Sequence, residues 1–158
     1  MTPELTLYAA QLQTLLDRVC QVVEGLDGAQ LNWRPPVAEA NSVYVIATHT
    51  LGNAEAWVLG IACGQAVERD RPAEFCSSGA DAAPIVDRAR DLQRRIGEAL
   101  RALPDGALDN INEIPAHLSS APRRVSGREA LIQVIEHASN HLGHIDLTRD
   151  LALASAKG

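Results

Sequence analysis

Residues 126–153 read SGREALIQVIEHASNHLGHIDLTRDLAL, and this stretch decides the fold. Ser126 with Glu129 three positions on is a capping box, the signature of a helix start. From there Leu131, Val134, Ile135, Ala138, Leu142 and Ile145 recur at gaps that lay one apolar stripe along a helix, predicted to run to about Leu153. His137, His141 and His144 flank the stripe on the edge of the core. His137 and His141 are four apart and stand one turn above each other, and His144 shares their face. Two imidazoles so spaced can hold one divalent metal.

Three more helices are expected upstream. The first is predicted from about Pro3 to Glu24, with Thr2 as N-cap, Leu5, Leu12, Leu16, Val19 and Val23 in its stripe, and Gly25 and Gly28 ending it. A loop holding Trp33, Arg34, Pro35 and Pro36 follows, since consecutive prolines forbid helix. The second helix starts after Asn41 or Ser42, either of which can cap it, and runs to about Gly64. Its face carries Val45, Ile46, His49, Asn53, Ala56, Trp57 and Gly60. Residues 65–79 are polar and read as a long connection in which Arg69-Asp70-Arg71 is solvated. The third helix is predicted from about Asp81 to Leu103, with Pro84 tolerated in its first turn. Residues 104–125 read as irregular, and no alternating pattern calls for a strand. Four helices of about 20 residues, each roughly 30 Å long, can bury their stripes in an all-α four-helix bundle, one domain spanning 1–158.

Composition narrows the function. The 158 residues include 20 acidic and 14 basic ones, for a net charge of −6, and Lys157 is the sole lysine. Such a chain offers no broad footprint for nucleic acid or an anionic membrane surface. Apolar residues make up 46% and aromatics 3%, so the core is aliphatic. No apolar run approaches the roughly 20 residues of a membrane span. Met1 to Glu4 start no secretory signal, and Cys20, Cys63 and Cys76 show no CxxC spacing. A cytoplasmic domain with reduced, inert thiols is expected.

His49 lies among apolar neighbours, where an imidazole must find a partner or stay neutral. Bringing it opposite His137 and His141 answers that need. Three neutral rings and one ion satisfy each other and leave a coordination position open, as catalytic sites do. The plainer alternatives stay open: a solvated histidine pair, a hydrogen-bonded core histidine at position 49, and an exposed His117 in its Pro-flanked loop. Glu136 points about 100° away from His137 and is a poor general base. Arg149 reads as an ordinary surface partner of Asp146 and Asp150.

The chain resembles the DinB-like family (DinB/YfiT-like metalloenzymes) over nearly its whole length. Leu31-Asn32-Trp33-Arg34-Pro35-Pro36 followed by Asn41-Ser42 resembles that family's Trp-x-Pro loop and helix cap. His49 followed by Trp57 matches the second helix. His137-x-x-x-His141-x-Gly143 is similar to the family's His-x-x-x-His-x-Gly-Gln, with His144 in place of Gln. The resemblance implies an up-down-down-up bundle, a homodimer, and a divalent metal, zinc or nickel, on His49, His137 and His141. The pair His141–His144 is the other option on the helix; aligned with the family motif, His144 becomes a residue behind the ligands or facing substrate, or a fourth ligand that would close the site. The resemblance also implies metal-dependent thiol chemistry, in which mycothiol or bacillithiol attacks an electrophile in S-transfer or in maleylpyruvate isomerisation. A metal with an open position lowers a thiol's pKa, so thiolate forms at neutral pH. Arg123 and Arg124 could then bind carboxylates, and Asn53 could face metal or substrate or make a hydrogen bond at the core edge. No residue is singled out as catalytic. The alternative reading is a non-catalytic stress-response or binding module whose metal is structural or absent.

Overall fold

The structure is a computed structural model, described over residues 1–115, 118 and 123–156. The first helix, α1 (Pro3–Val23), has Thr2 as its N-cap, its hydroxyl accepting from the Leu5 amide. A one-turn helix, α2 (Gly28–Asn32), interrupts the expected loop; Asp27 and Gln30 close a capping box around it. Ser42, not Asn41, caps α3 (Val43–Ala54). From Glu55 to Ala62 that helix continues as a wider π-helix, ended by a Cys63 amide reaching back to Val58. The expected single α-helix thus changes its winding halfway, which hydrophobic spacing alone does not reveal.

The connection that follows is not a plain loop. Asp70 accepts from the Ala73 amide and starts a second one-turn helix, α4 (Arg71–Phe75). Then come α5 (Ala83–Ala102), a short 3₁₀ turn at Ala107–Asp109, and an antiparallel pair of three-residue strands, β1 (Ile111–Glu113) and β2 (Arg124–Ser126). The strands correct the expectation of none: three residues are too few to show an alternating pattern. The last helix, α6 (Gly127–Ser155), opens on the expected Ser126–Glu129 box.

Links between helices give the topology. Gln93 of α5 donates to Asp17 (2.6 Å) and to the Gln13 carbonyl of α1, and Arg90 reaches Glu24, so α1 and α5 run antiparallel. Arg128 pairs with Glu4, and Arg18 with Asp146, so α1 and α6 are parallel. Tyr44 and Pro84 line one cavity near the starts of α3 and α5, and Arg95 reaches Glu55 further along, so those two are parallel. The order is up-down-down-up. The Tyr44 ring fills the space where Gly79 has no side chain, which pins the long connection back to the start of α3.

The stripes meet as expected: Leu12, Leu16, Val19, Leu92, Leu100, Leu131, Leu142 and Ile145 are all essentially inaccessible. One helix departs from the one-face expectation. Every residue of α3 but Thr48 is buried, because α2, α4, α5 and α6 all pack around it. His49, Thr50 and Asn53 are therefore buried polar groups at the middle of the bundle. Among the described residues no helix is long and apolar enough to cross a membrane.

Candidate metal centre

The antiparallel α3 and α6 bring three imidazoles to one point. The Nε2 atoms of His49 and His137 are 3.2 Å apart, and those of His137 and His141 also 3.2 Å. One nitrogen from each of the three lies within 4.8 Å of the others. Metal–nitrogen bonds of about 2.0–2.1 Å in tetrahedral geometry place ligand nitrogens about 3.3 Å apart. Two of the three nitrogen separations match that value, and the third nitrogen pair lies within 4.8 Å.

Hydrogen bonding alone does not satisfy this group. A ring nitrogen of a neutral imidazole either donates or accepts, yet His137 Nε2 faces both neighbours. The surroundings also keep the two α6 rings uncharged. Burial, then repulsion from His141, His49 and Arg69, outweighs the attraction of Glu74 and pushes His137 down to about 3. Burial, then His49 and His144, pushes His141 down to about 4. Neutral imidazoles with convergent lone pairs are what a divalent ion requires. The residues present fit such an ion.

Glu74 and Arg69 also meet this group, although no motif or helical spacing points to them. His49 Nδ1 lies 2.8 Å from Glu74 Oε2; Arg69 donates to both carboxylate oxygens, from Nε at 2.7 Å and Nη2 at 2.9 Å. Both side chains are nearly inaccessible, at 4% for Arg69 and 7% for Glu74. The expectation of a solvated Arg69-Asp70-Arg71 run is therefore wrong at Arg69: α4 folds it inward against α3. Burial raises the Glu74 pKa, but hydrogen bonds from His49 and Arg69 win and leave it below the ordinary carboxylate value. The Phe75 ring, 4.8 Å from that of His49, walls the same side. One sequence signal was available: Gly52, three residues after His49, where a Cβ would collide with the Glu74 carboxylate.

Other expected site residues sort themselves by position. His144 is exposed, its ring centroid 5.6 Å from that of His141, and it stands outside the three-nitrogen group. Asn53 is buried with no hydrogen-bond partner at Oδ1, so that oxygen makes no core-edge hydrogen bond; His137 and His141 Nδ1 are likewise unpartnered among the described residues. Arg123 is exposed, stacks 5.2 Å above the Trp57 ring, and donates to Gln133, one turn before His137. Arg124 is exposed on β2, opposite Glu113. Glu136 faces solvent. Cys63, half-buried, has its thiol pushed up to about 11 by burial, and Cys20 is raised for the same reason. His117 lies outside the described residues.

An up-down-down-up bundle with three inward imidazoles on α3 and α6 defines a class of helical protein with a metal-competent centre. The family model described as mycothiol S-transferase matches residues 7–153, and the chain belongs to that family, within the DinB-like proteins. Solved structures share the fold. A DinB-like protein from Bacillus cereus is 21% identical, covering 93% of this chain and 87% of its own, with a TM-score of 0.65. YfiT from Bacillus subtilis, described as a probable metal-dependent hydrolase with an unusual four-helix bundle topology, is 18% identical over 94% of this chain and 87% of its own, at a TM-score of 0.70. A conserved protein from Enterococcus faecalis is 16% identical over 98% and 99%, at 0.67. No curated protein matches the chain.

Proposed function

We propose that the chain is a metal-dependent thiol S-transferase whose zinc or nickel ion is held by His49, His137 and His141. The observation that carries this reading is the approach of the His49 and His141 Nε2 atoms to His137 Nε2, 3.2 Å each, with one nitrogen of every ring within 4.8 Å of the others, and membership of the mycothiol S-transferase family supports the thiol. An ion bound there supplies a Lewis-acid centre that favours thiolate over thiol at neutral pH. The thiol sulfur then forms a bond to an electrophilic carbon, its proton passing to solvent and the leaving group departing with the displaced electron pair.

The chain's own residues shape that chemistry. His137 and His141, both acidic enough to stay neutral, do not take up the thiol proton. Three nitrogens, with His144 outside the group, leave room for an incoming sulfur. His137 and His141 are only half-buried, so the site opens toward α6 and the exposed Arg123. Stacked on Trp57, Arg123 offers a fixed guanidinium to an anionic part of the thiol or electrophile; His144, its ring 5.6 Å from that of His141, is assigned to the same approach. Hydrolysis is the weaker reading. Both oxygens of Glu74 are already engaged by Arg69 and His49, so it is not free to deprotonate water. A homodimer in the cytoplasm is part of the proposal.

The test is elemental analysis of the purified protein beside His141→Ala, together with a transfer assay using a small thiol and a fluorogenic alkyl halide. One ion per chain, lost in the variant along with thioether formation, is the expected result. Full metal occupancy in His141→Ala overturns the ligand set. Stoichiometric metal with no thioether for any low-molecular-weight thiol leaves the non-catalytic module instead, its melting temperature falling with chelator.

A further inference from the structure

Resting on the reading of His49 as a ligand, we propose that Glu74 is the positioning residue of the metal centre. It fixes His49 with its proton on Nδ1 and so turns the bare Nε2 toward His137 and His141, and Arg69 holds the carboxylate in place.

The hydrogen count decides the tautomer. Arg69 is a donor only, and an ionised carboxylate is an acceptor only. The 2.8 Å contact from His49 Nδ1 to Glu74 Oε2 therefore carries a proton that belongs to His49. A neutral imidazole protonated at Nδ1 has its lone pair on Nε2, the atom that faces His137. Arg69 Nη2 also lies 3.3 Å from His49 Nδ1, but with hydrogens on both atoms that contact is no hydrogen bond; the Nη2 bond goes to Glu74 at 2.9 Å. Carboxylates that accept from the second nitrogen of a metal-binding imidazole orient the ring and raise its basicity.

Stability is a poor alternative explanation. Burying an ion pair costs desolvation, and well-packed apolar replacements are often as stable or more so. Three separate local features nevertheless converge on this one: Gly52 leaves space on α3 for the carboxylate, Asp70 starts the turn that carries Glu74, and Arg69 grips both oxygens while its Nη1 donates to the Leu118 carbonyl at 3.3 Å. The connection between α3 and α5 thus works as an arm that aims His49.

The test measures zinc affinity by competition with a chromophoric chelator, independently of any thiol chemistry. Glu74→Gln is expected to weaken zinc about 10- to 100-fold. Glu55→Gln, which removes a carboxylate paired with Arg88 and Arg95 on the same helix, is expected to leave zinc affinity unchanged. Nitrogen NMR of the unaltered, ¹⁵N-histidine-labelled protein with zinc is expected to show His49 metallated at Nε2 and protonated at Nδ1. This measurement decides the matter even where Glu74→Gln does not fold. An affinity within about twofold of wild type in a folded Glu74→Gln, or a His49 bound through Nδ1, overturns the positioning role. His49→Ala separates the two layers: if it keeps full zinc affinity the ligand reading itself falls, and the positioning role with it. If it loses zinc while Glu74→Gln does not, only the positioning role falls.

Discussion

The seam between α1 and α5 and the seam between α3 and α6 are built from the same fold by opposite means. Between α1 and α5 the buried side chains are aliphatic, Leu12, Leu16 and Val19 against Leu92, Ile96 and Leu100, with Gln93 the only buried polar side chain on either helix among the described residues. Its amide is satisfied at once by Asp17 and the Gln13 carbonyl. Between α3 and α6 the chain buries His49, Thr50 and Asn53, crowds three imidazoles together and leaves ring nitrogens without partners. A buried polar group lacking a hydrogen bond costs on the order of 1–3 kcal/mol. The first seam therefore supplies stability, and the second spends some of it to bring three imidazoles together, as the proposed metal centre requires.

If that division holds, damage to the two seams separates. Leu92→Ala removes an almost wholly buried side chain of α5, a helix that carries none of the three imidazoles, and is expected to destabilise the protein by about 2–5 kcal/mol. Zinc affinity of the fraction still folded should not change. Denaturant unfolding and chelator competition on the same variant check both halves of that statement. A matching loss of zinc affinity would show that the bundle transmits strain across its width and that the two seams are one unit.

Acid should act on the other seam. The folded site holds His137 and His141 at about 3 and about 4, while the unfolded chain titrates at the ordinary value of 6.5. Burial depresses both most; the neighbouring groups that add to it, His141, His49 and Arg69 at His137 and His49 and His144 at His141, come from α6, α3 and the connection, and Glu74 pulls the other way at His137. A depressed histidine favours folding fully above the unfolded pKa. That contribution drains away as pH falls through 6.5 toward 4, because the unfolded chain takes up protons that the folded site refuses. With chelator present, the melting temperature should fall more steeply over this range than in His137→Gln. Equal slopes would mean that the imidazoles are not what acid attacks.

The same contrast explains what could be read in the residue order. The four long helices were legible because each repeats its apolar stripe several times, and Ser126–Glu129 and Thr2–Pro3 mark their starts. His137 and His141 were legible because their spacing on one helix is itself the geometry. Bringing His49 to them needed only the knowledge that α3 faces α6. Arg69 and Glu74 were not legible: a one-turn helix such as α4 has no period, and an Arg-Asp-Arg run looks like solvated surface until a tertiary contact buries one member. For the same reason α2, β1 and β2 were missed, and the π-helix escaped because buried residues on every side leave no phase to follow.

Gly52 joins these two lines of argument. In the interior of a helix, replacing glycine by alanine favours folding by about 1 kcal/mol. Here the added Cβ would collide with the Glu74 carboxylate, 2.9 Å from its Cδ and 3.5 Å from Arg69 Nε. A free glutamate would swing aside at little cost. Glu74 is held at both oxygens, so it has to give up part of its hold on His49 or Arg69 to make room. Helix propensity and collision oppose each other in folding, whereas only the collision reaches the metal. Gly52→Ala is accordingly expected to leave the melting temperature of the chelator-treated protein nearly unchanged, while its zinc affinity falls about tenfold, at the lower end of what loss of a supporting carboxylate costs. A raised melting temperature with undiminished zinc affinity would show that the arm yields freely, and that α3 and α6 place the three rings without it.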